Sequence, residues 1–247
     1  MCTLTYLINS YGYQLFFNRD EQRSRPIAIA PVYDPQYHAI FPIDPLGQGT
    51  WLAVHEQGYS LALLNNYQAA EHLSVPNKIS RGQIILALLE SSLAPQDAIL
   101  QLDLQRYSPF QLVIFPAGLS RAFPVVLQFK YDGKQLTQSM PTLPITSSSI
   151  DITLVLTKRQ DKYQQVVGTQ PSLASLKQYH YSTEALTHQS VNMSRADAST
   201  VSISHIDVSS KIVFNYHDLH TDKTASVQCD RISNTPQNID YHFNAQY

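Results

Sequence analysis

Cys2 follows Met1 directly, and sixteen residues beyond that cysteine the chain reads Asn18-Arg19-Asp20-Glu21. Cysteine is small enough for methionine aminopeptidase to remove Met1, which leaves a thiol and a free α-amine on one residue. The thiol is an intrinsically strong nucleophile, and a neutral α-amine is a base titrating at roughly pH 7.7–8.0. Nucleophile and general base for acyl transfer would then come from a single amino acid. The plain alternative is that cysteine is merely permitted at position 2, so the elements around it must bring it partners.

Residues 2–8 are β-branched and aromatic enough to form a strand, Asn9-Ser10-Tyr11-Gly12 is a turn cluster, and Tyr13 to Asn18 reads as the return strand. With Ile8 and Tyr13 flanking the turn, opposed positions sum to twenty-one, which sets Cys2 against Arg19. Directly opposed residues have Cβ atoms about 4.5–5.5 Å apart. A guanidinium at that distance lowers a thiol pKa and can hold an anionic group of a substrate. A register two residues longer puts Glu21 opposite instead, which opposes thiolate formation. The competing reading of the whole cluster is a solvated charge run at a strand end.

Further residues continue the pattern in order: Ser24-Arg25-Pro26, Gly49-Thr50-Trp51, Leu64-Asn65-Asn66-Tyr67 and Ser80-Arg81-Gly82. Together with Met1-Cys2 and Asn18-Arg19-Asp20-Glu21 they resemble the NRDE-motif family, the transport and Golgi organisation type. That family is similar to the N-terminal-nucleophile (Ntn) hydrolases of the choloylglycine hydrolase and penicillin V acylase kind. The resemblance is dense over residues 1–115 and thin afterwards. It implies an αββα sandwich and a cysteine amidohydrolase acting on a non-peptide amide. It equally implies an alternative, a non-catalytic carrier or trafficking protein, with haem handling among the functions linked to members. A third outcome is a structural or regulatory relic with a degenerate pocket.

Candidate site residues follow from both lines. Cys2 attacks, Arg19 organises the site, and Asp20 either accepts a hydrogen bond from the α-ammonium or orients Arg19. An asparagine amide is one accepted oxyanion donor; Asn65 and Asn66 end a strand, and the family's Asn-Tyr pair matches Asn66-Tyr67, which puts Asn66 first and Asn65 in substrate binding. Asparagine also ends strands for reasons of turn chemistry alone. Arg195, which resembles the late arginine-containing segment of the family, is a second anion clamp or a solvated strand-start residue. Ser147-Ser148-Ser149 stands by order where the family carries a Ser-Asn segment, so an oxyanion-side asparagine is replaced by serine here. No cofactor is called for, and the histidines make no zinc set.

Composition bounds the rest. The chain has 247 residues, net charge −2 and 15% charged residues. That length suits one domain with a substantial core, and the charge gives no footprint for nucleic acid. Two cysteines, Cys2 and Cys229, make no disulfide scaffold. The longest apolar run, Ile84 to Leu89, is far short of the ~20 residues of a transmembrane helix. The expectation is a soluble, cytoplasmic protein that takes a small-molecule substrate or ligand.

The remaining elements are read from periodicity. A second hairpin runs through 50–55 and 59–65, and helices cover 80–92, capped by Ser80, and a stretch from Pro95. Strands lie at 110–115, 122–130 and 135–139, helices at about 150–163 and 172–178, and three antiparallel strands at 199–207, 211–217 and 225–230. The segment from Pro26 to Pro45, with five prolines, reads as loop with short extended pieces. Residues from 236 onward form a surface tail of a single domain spanning 1–247. Helices between two runs of antiparallel strands give an α+β domain with two sheets packed face to face.

Overall fold

Strand β1 (Cys2–Ile8) and strand β2 (Tyr13–Gln22) form the expected hairpin, in the register Cys2↔Arg19 through Ile8↔Tyr13. The computed structural model describes residues 2–69, 78–183 and 187–232; the expected tail from 236 lies outside them. Alternation along β2 sorts its side chains onto two faces. Leu15 and Phe17 enter one apolar core together with Leu4 of β1, whereas Phe16 joins a different core.

Two antiparallel sheets carry the chain. Strands β3 (Ile29–Asp34), β4 (Ala39–Ile43), β5 (Leu52–His55), β6 (Ser60–Asn65), β7 (Phe110–Phe115), β8 (Leu127–Tyr131) and β9 (Leu136–Ser139) form one sheet in that order. The other has the order β10-β1-β2-β11-β12-β13, with β10 (Ile145–Ser147), β11 (Ala198–Val208), β12 (Lys211–Asp218) and β13 (Lys223–Asp230). Between them lies a core that includes Leu4, Phe17, Leu52, Val54, Leu64, Val113 and Phe214. Burial on both faces explains the unbroken apolar run Leu61 to Leu64, split between that inner core and an outer one.

Helices cover the outer faces. Helix α1 (Gly82–Glu90) buries Ile84, Ile85, Leu88 and Leu89 against the outside of the β3–β9 sheet, with the short α2 (Pro95–Ala98) beside it. Helix α3 (Ile152–Val166) and helix α4 (Leu173–His180) cover the other sheet through Tyr163, Leu176 and Tyr179. The result is the α+β, αββα sandwich.

Three expectations change. The proline-rich segment is not loop but β3 and β4: β3 is an edge strand with a register shift between Ile29 and Val32, where Pro31 needs no ladder partner. Pro42 likewise lies beyond the β4–β5 pairs Ala39↔His55 and Ile40↔Val54. The short β10 was not expected, and it places Ser147 opposite Cys2 on the side away from Arg19. Ser80 does not cap α1; the N-cap is Arg81, without a side-chain cap.

Candidate functional site

The inner core ends where β1 and β2 meet the loops of the other sheet. There a cleft of about 610 Å³ opens, with Cys2 and Arg19 side by side in its lining. Segments distant in sequence converge on it: Glu21 and Arg25, Asp44 to Trp51, Asn65 and Tyr67, Lys78 to Gly82, Ser149 and Arg195. Two of these segments meet through glycine. A Cβ on Gly49 would stand 2.4 Å from the carbonyl carbon of Gly82, so only a bare backbone lets Thr50 N–H donate to Gly82 O at 3.2 Å. This contact sets the wall carrying Trp51 against the start of α1.

Arg19 is 6% exposed and lies over Trp51, its Cζ 4.3 Å from the ring centroid. Its Nη2 donates to Glu21 Oε2 at 3.1 Å and stands 3.9 Å from Asp44 Oδ2. Arg25 closes the ring, with Nε 3.5 Å from Glu21 and Nη2 bonded to Asp44. Four charges thus hold one another, and the guanidinium beside Cys2 is fixed in place.

Asp20 points the other way. Thr200 Oγ1 donates to its Oδ1 at 2.6 Å, and Arg159 of α3, fully buried, donates to its Oδ2 at 3.3 Å. Arg19 is thus oriented by Glu21 and Asp44, while Asp20 anchors a helix and its charge and backbone also act on Cys2. Asn18 does the same for α4: its Nδ2 donates to the carbonyls of His180 and Val191 at 2.9 and 3.1 Å. Its Oδ1 must then accept from His180 Nδ1 at 2.7 Å, which leaves His180 Nε2 to accept from Thr5 Oγ1 at 2.8 Å. Burial holds His180 neutral, its pKa lowered to about 3.

The structure brings Cys2, Arg19, Asp20, Asn65 and Arg195 together in the lining of one cleft, but not Asn66. Asn66 Nδ2 donates instead to Tyr131 O at 3.1 Å, at the end of β8. Asn65 Nδ2 donates to the hydroxyl of Tyr67, and Tyr67 feels the charges of Cys2, Arg81 and Glu21. Arg195 is held by Asp197, Nε to Oδ1 at 2.7 Å. Ser147 Oγ, buried next to Cys2, has no hydrogen-bond partner among the described residues.

Cys2 itself is partly buried. Desolvation raises its pKa most; the charge of the α-ammonium lowers it, the charge of Asp20 raises it, and an Asp20 backbone hydrogen bond and Arg19 act in the lowering direction. The thiol is therefore protonated at neutral pH, so a nucleophilic role requires a base to take its proton. Sequence reasoning named Trp51 only within the Gly49-Thr50-Trp51 motif and missed Arg159, Thr200, Asp44 and Lys78. Only Arg159 left a signal, being a charge at i, i+4 spacing within the buried stripe Val155, Arg159, Tyr163.

Among the described residues no group of three or more His, Cys, Asp or Glu could hold a metal ion, and no helix is long and apolar enough to cross a membrane. No curated protein matches this sequence. Among solved structures, the Caenorhabditis elegans N-acylethanolamine-hydrolyzing acid amidase (NAAA) ortholog, an Ntn hydrolase, is similar in fold at a TM-score of 0.54 and 12% identity. The match covers 83% of this chain and 92% of that one. The family Transport and Golgi organisation 2 (TANGO2) matches residues 1–231, and the chain belongs to that family.

Proposed function

We propose that this protein is an N-terminal-nucleophile cysteine amidohydrolase acting on a non-peptide amide, made competent by removal of Met1. One observation carries the reading: Cys2 lies in register with Arg19 in the lining of a cleft on which every quoted family motif converges. Because burial keeps the thiol protonated, the free α-amine of Cys2 is the natural base. It takes the thiol proton as Sγ bonds to the amide carbon, then delivers that proton to the departing amine as the C–N bond breaks. Water, deprotonated by the same amine, then cleaves the resulting thioester and restores the thiol.

Asn65 and Tyr67 supply the oxyanion donor. The hydroxyl of Tyr67 accepts from Asn65, and among the described residues no acceptor takes its own proton, which can donate into the cleft. Arg19 and its acidic partners hold the floor rigid. Asn66, committed to Tyr131, has no part in this step.

The test uses protein made without an N-terminal tag, with removal of Met1 verified by intact mass. Hydrolysis of N-acyl amides should fall at least about 100-fold in Cys2→Ser, a loss expected when the attacking group is weakened chiefly in the transition state. It should fall as far when one extra residue precedes Cys2, which keeps the thiol and removes only the amine. Hydrolysis that survives both changes sinks the proposal. Ligand binding without turnover in the processed protein points to the carrier alternative; for haem, the iron-ligating residue types that line the cleft among the described residues are Cys2, Tyr67 and Met193.

A further inference from the structure

Three consecutive hydroxyls, Thr146, Ser147 and Ser148, run along the end of β10 beside the nucleophile. Thr146 Oγ1 lies 3.4 Å from Thr3 Oγ1, and Ser148 Oγ donates to Ile150 O at 2.6 Å. Ser147, between them, is only 2% exposed, and its buried Oγ has no hydrogen-bond partner among the described residues. A buried hydroxyl left unpaired is unfavourable, so the group that pairs it has to stand nearby.

The strand register names the neighbour. Ser147 opposes Cys2 from β10 as Arg19 does from β2, so the two flank Cys2 on one face of the sheet. Directly opposed Cβ atoms are about 4.5–5.5 Å apart, which brings Oγ within reach of the polar atoms of Cys2. Ser204 is another buried, unpaired hydroxyl of the same sheet, but it opposes Phe17. The sulfur of Cys2 is engaged from the β2 side, by the backbone of Asp20 and the charge of Arg19. The α-nitrogen is the group left for Ser147.

With Met1 in place that nitrogen is an amide carrying one N–H. Removal of Met1 turns it into an amine with two N–H groups, or three when protonated, and each needs an acceptor. Both carboxylate oxygens of Asp20, the acceptor expected from the sequence, are already engaged by Thr200 and Arg159. A carboxylate in contact would also hold the amine as its ammonium form. A neutral hydroxyl orients the amine and leaves its lone pair available near neutral pH.

We infer that Ser147 is the positioning residue of the α-amine: its hydroxyl accepts an N–H of processed Cys2 and turns the nitrogen lone pair toward Sγ. The inference rests on the hydrolase reading for the use of that lone pair, whereas the contact itself needs only the removal of Met1. Processing thus completes the unpaired hydroxyl and gives the mature chain a hydrogen bond that the Met1 chain lacks.

The test compares Ser147 with Ser147→Ala by chemical denaturation, in the processed chain and in the chain with one extra residue before Cys2, each verified by intact mass. Ser147→Ala should lower the folding equilibrium constant of the processed chain by about 10-fold or more, the size of one hydrogen bond to a charged group. In the extended chain, where the hydroxyl lacks that partner, the change should be neutral or slightly favourable. Ser204→Ala, the control, should act alike in both chains. In hydrolysis of N-acyl amides, processed Ser147→Ala should lose about 10-fold in kcat with KM unchanged, because aiming the base serves the chemical step. Its rate should also rise from a lower pH. A hydrogen bond from the ammonium favours the charged form, so losing it lowers the amine pKa and moves the acid limb down. Equal effects of Ser147→Ala on the stability of the processed and extended chains assign the hydroxyl to the thiol, to water or to packing, and overturn the inference. Turnover that depends on Cys2 but keeps its kcat and acid limb in Ser147→Ala also overturns it and leaves the hydrolase standing. A stability loss confined to the processed chain, with no turnover of any amide by processed Ser147 protein, upholds the contact and overturns the hydrolase.

Discussion

The two faces of β2 use the same four-residue run for opposite ends. Asn18 and Asp20 turn toward the helices and disappear into a dry network with His180, Arg159, Thr5 and Thr200. Arg19 and Glu21 turn toward the cleft and form an ion ring with Arg25 and Asp44. A period of two therefore splits Asn18-Arg19-Asp20-Glu21 into a device for docking helices and a device for holding a site. The helix-facing polar groups are buried with their partners supplied, so each loss leaves a stranded group. The cleft-facing charges keep contact with solvent and share their partners, so each loss can be absorbed.

The sharpest way to break this comparison is at Arg159. Replacing it with alanine removes the cation that faces the Asp20 carboxylate, which has 0% side-chain exposure, and should cost about 3–5 kcal/mol. Chemical denaturation of Arg159→Ala and Asp20→Ala, with the double variant, measures it. If the pair is the anchor described, the double variant is far less destabilised than the two single losses summed. Additive losses would mean that the pair does not hold α3.

The next effect is pH dependence. His180 is neutral in the fold with a pKa lowered to about 3, against roughly 6.5 in the unfolded chain. A histidine with a depressed folded pKa leaves stability untouched above the unfolded value, where both states are neutral. Below about pH 6.5 the unfolded state binds the proton and the fold does not, so stability falls by up to about 1.4 kcal/mol per pH unit until the folded pKa is reached. His205 and His55, each lowered to about 4 mainly by burial, act with the same sign. Unfolding free energies from pH 7 to 4.5 should decline accordingly, and His180→Gln should flatten the slope by about one proton while lowering the plateau. An unchanged slope in that variant would place the titration elsewhere.

How much of this was legible follows the same division. Pairing of Cys2 with Arg19 could be read because a short turn fixes the register of a hairpin whose strands are contiguous in sequence. The stripe of α1 and the last three strands were equally plain from local periodicity. The partner of Asp20 was not, because Arg159 is 139 positions away and nothing local joins them. That Asn65 and not Asn66 lines the cleft was hidden for another reason. A strand apolar on both faces, Leu61 to Leu64, carries no alternation to show which way the next side chain turns. Family order favoured Asn66, but the chain bends after Asn65 and delivers that residue to the cleft. The strands β3 and β4 were hidden because proline argues against a ladder, except at an edge or beyond the pairing, where both prolines sit.

The smallest expected effect lies on the cleft face and sharpens the contrast. Arg19→Met removes a guanidinium that is as deeply placed as many core side chains, yet Glu21 and Asp44 keep Arg25 as a partner. Its cation–π contact with Trp51 and its share of the ion ring together should be worth only about 1–2 kcal/mol. That is well below the loss at Arg159, although both residues are arginines on the same sheet. The thiol next to it should respond in kind. Arg19 is the weakest of the influences on the Cys2 pKa and acts in the lowering direction, so its removal raises that pKa a little further. Alkylation of Cys2 by iodoacetamide at neutral pH should therefore slow in Arg19→Met, by less than an order of magnitude, while Cys229 on β13 is unaffected. Intact-mass kinetics on the folded protein resolves the two cysteines. A stability loss in Arg19→Met equal to that in Arg159→Ala would erase the distinction between the two faces. A Cys2 rate that is indifferent to Arg19 would mean that the guanidinium serves the ion ring and the ligand, and leaves the thiol to its own amine.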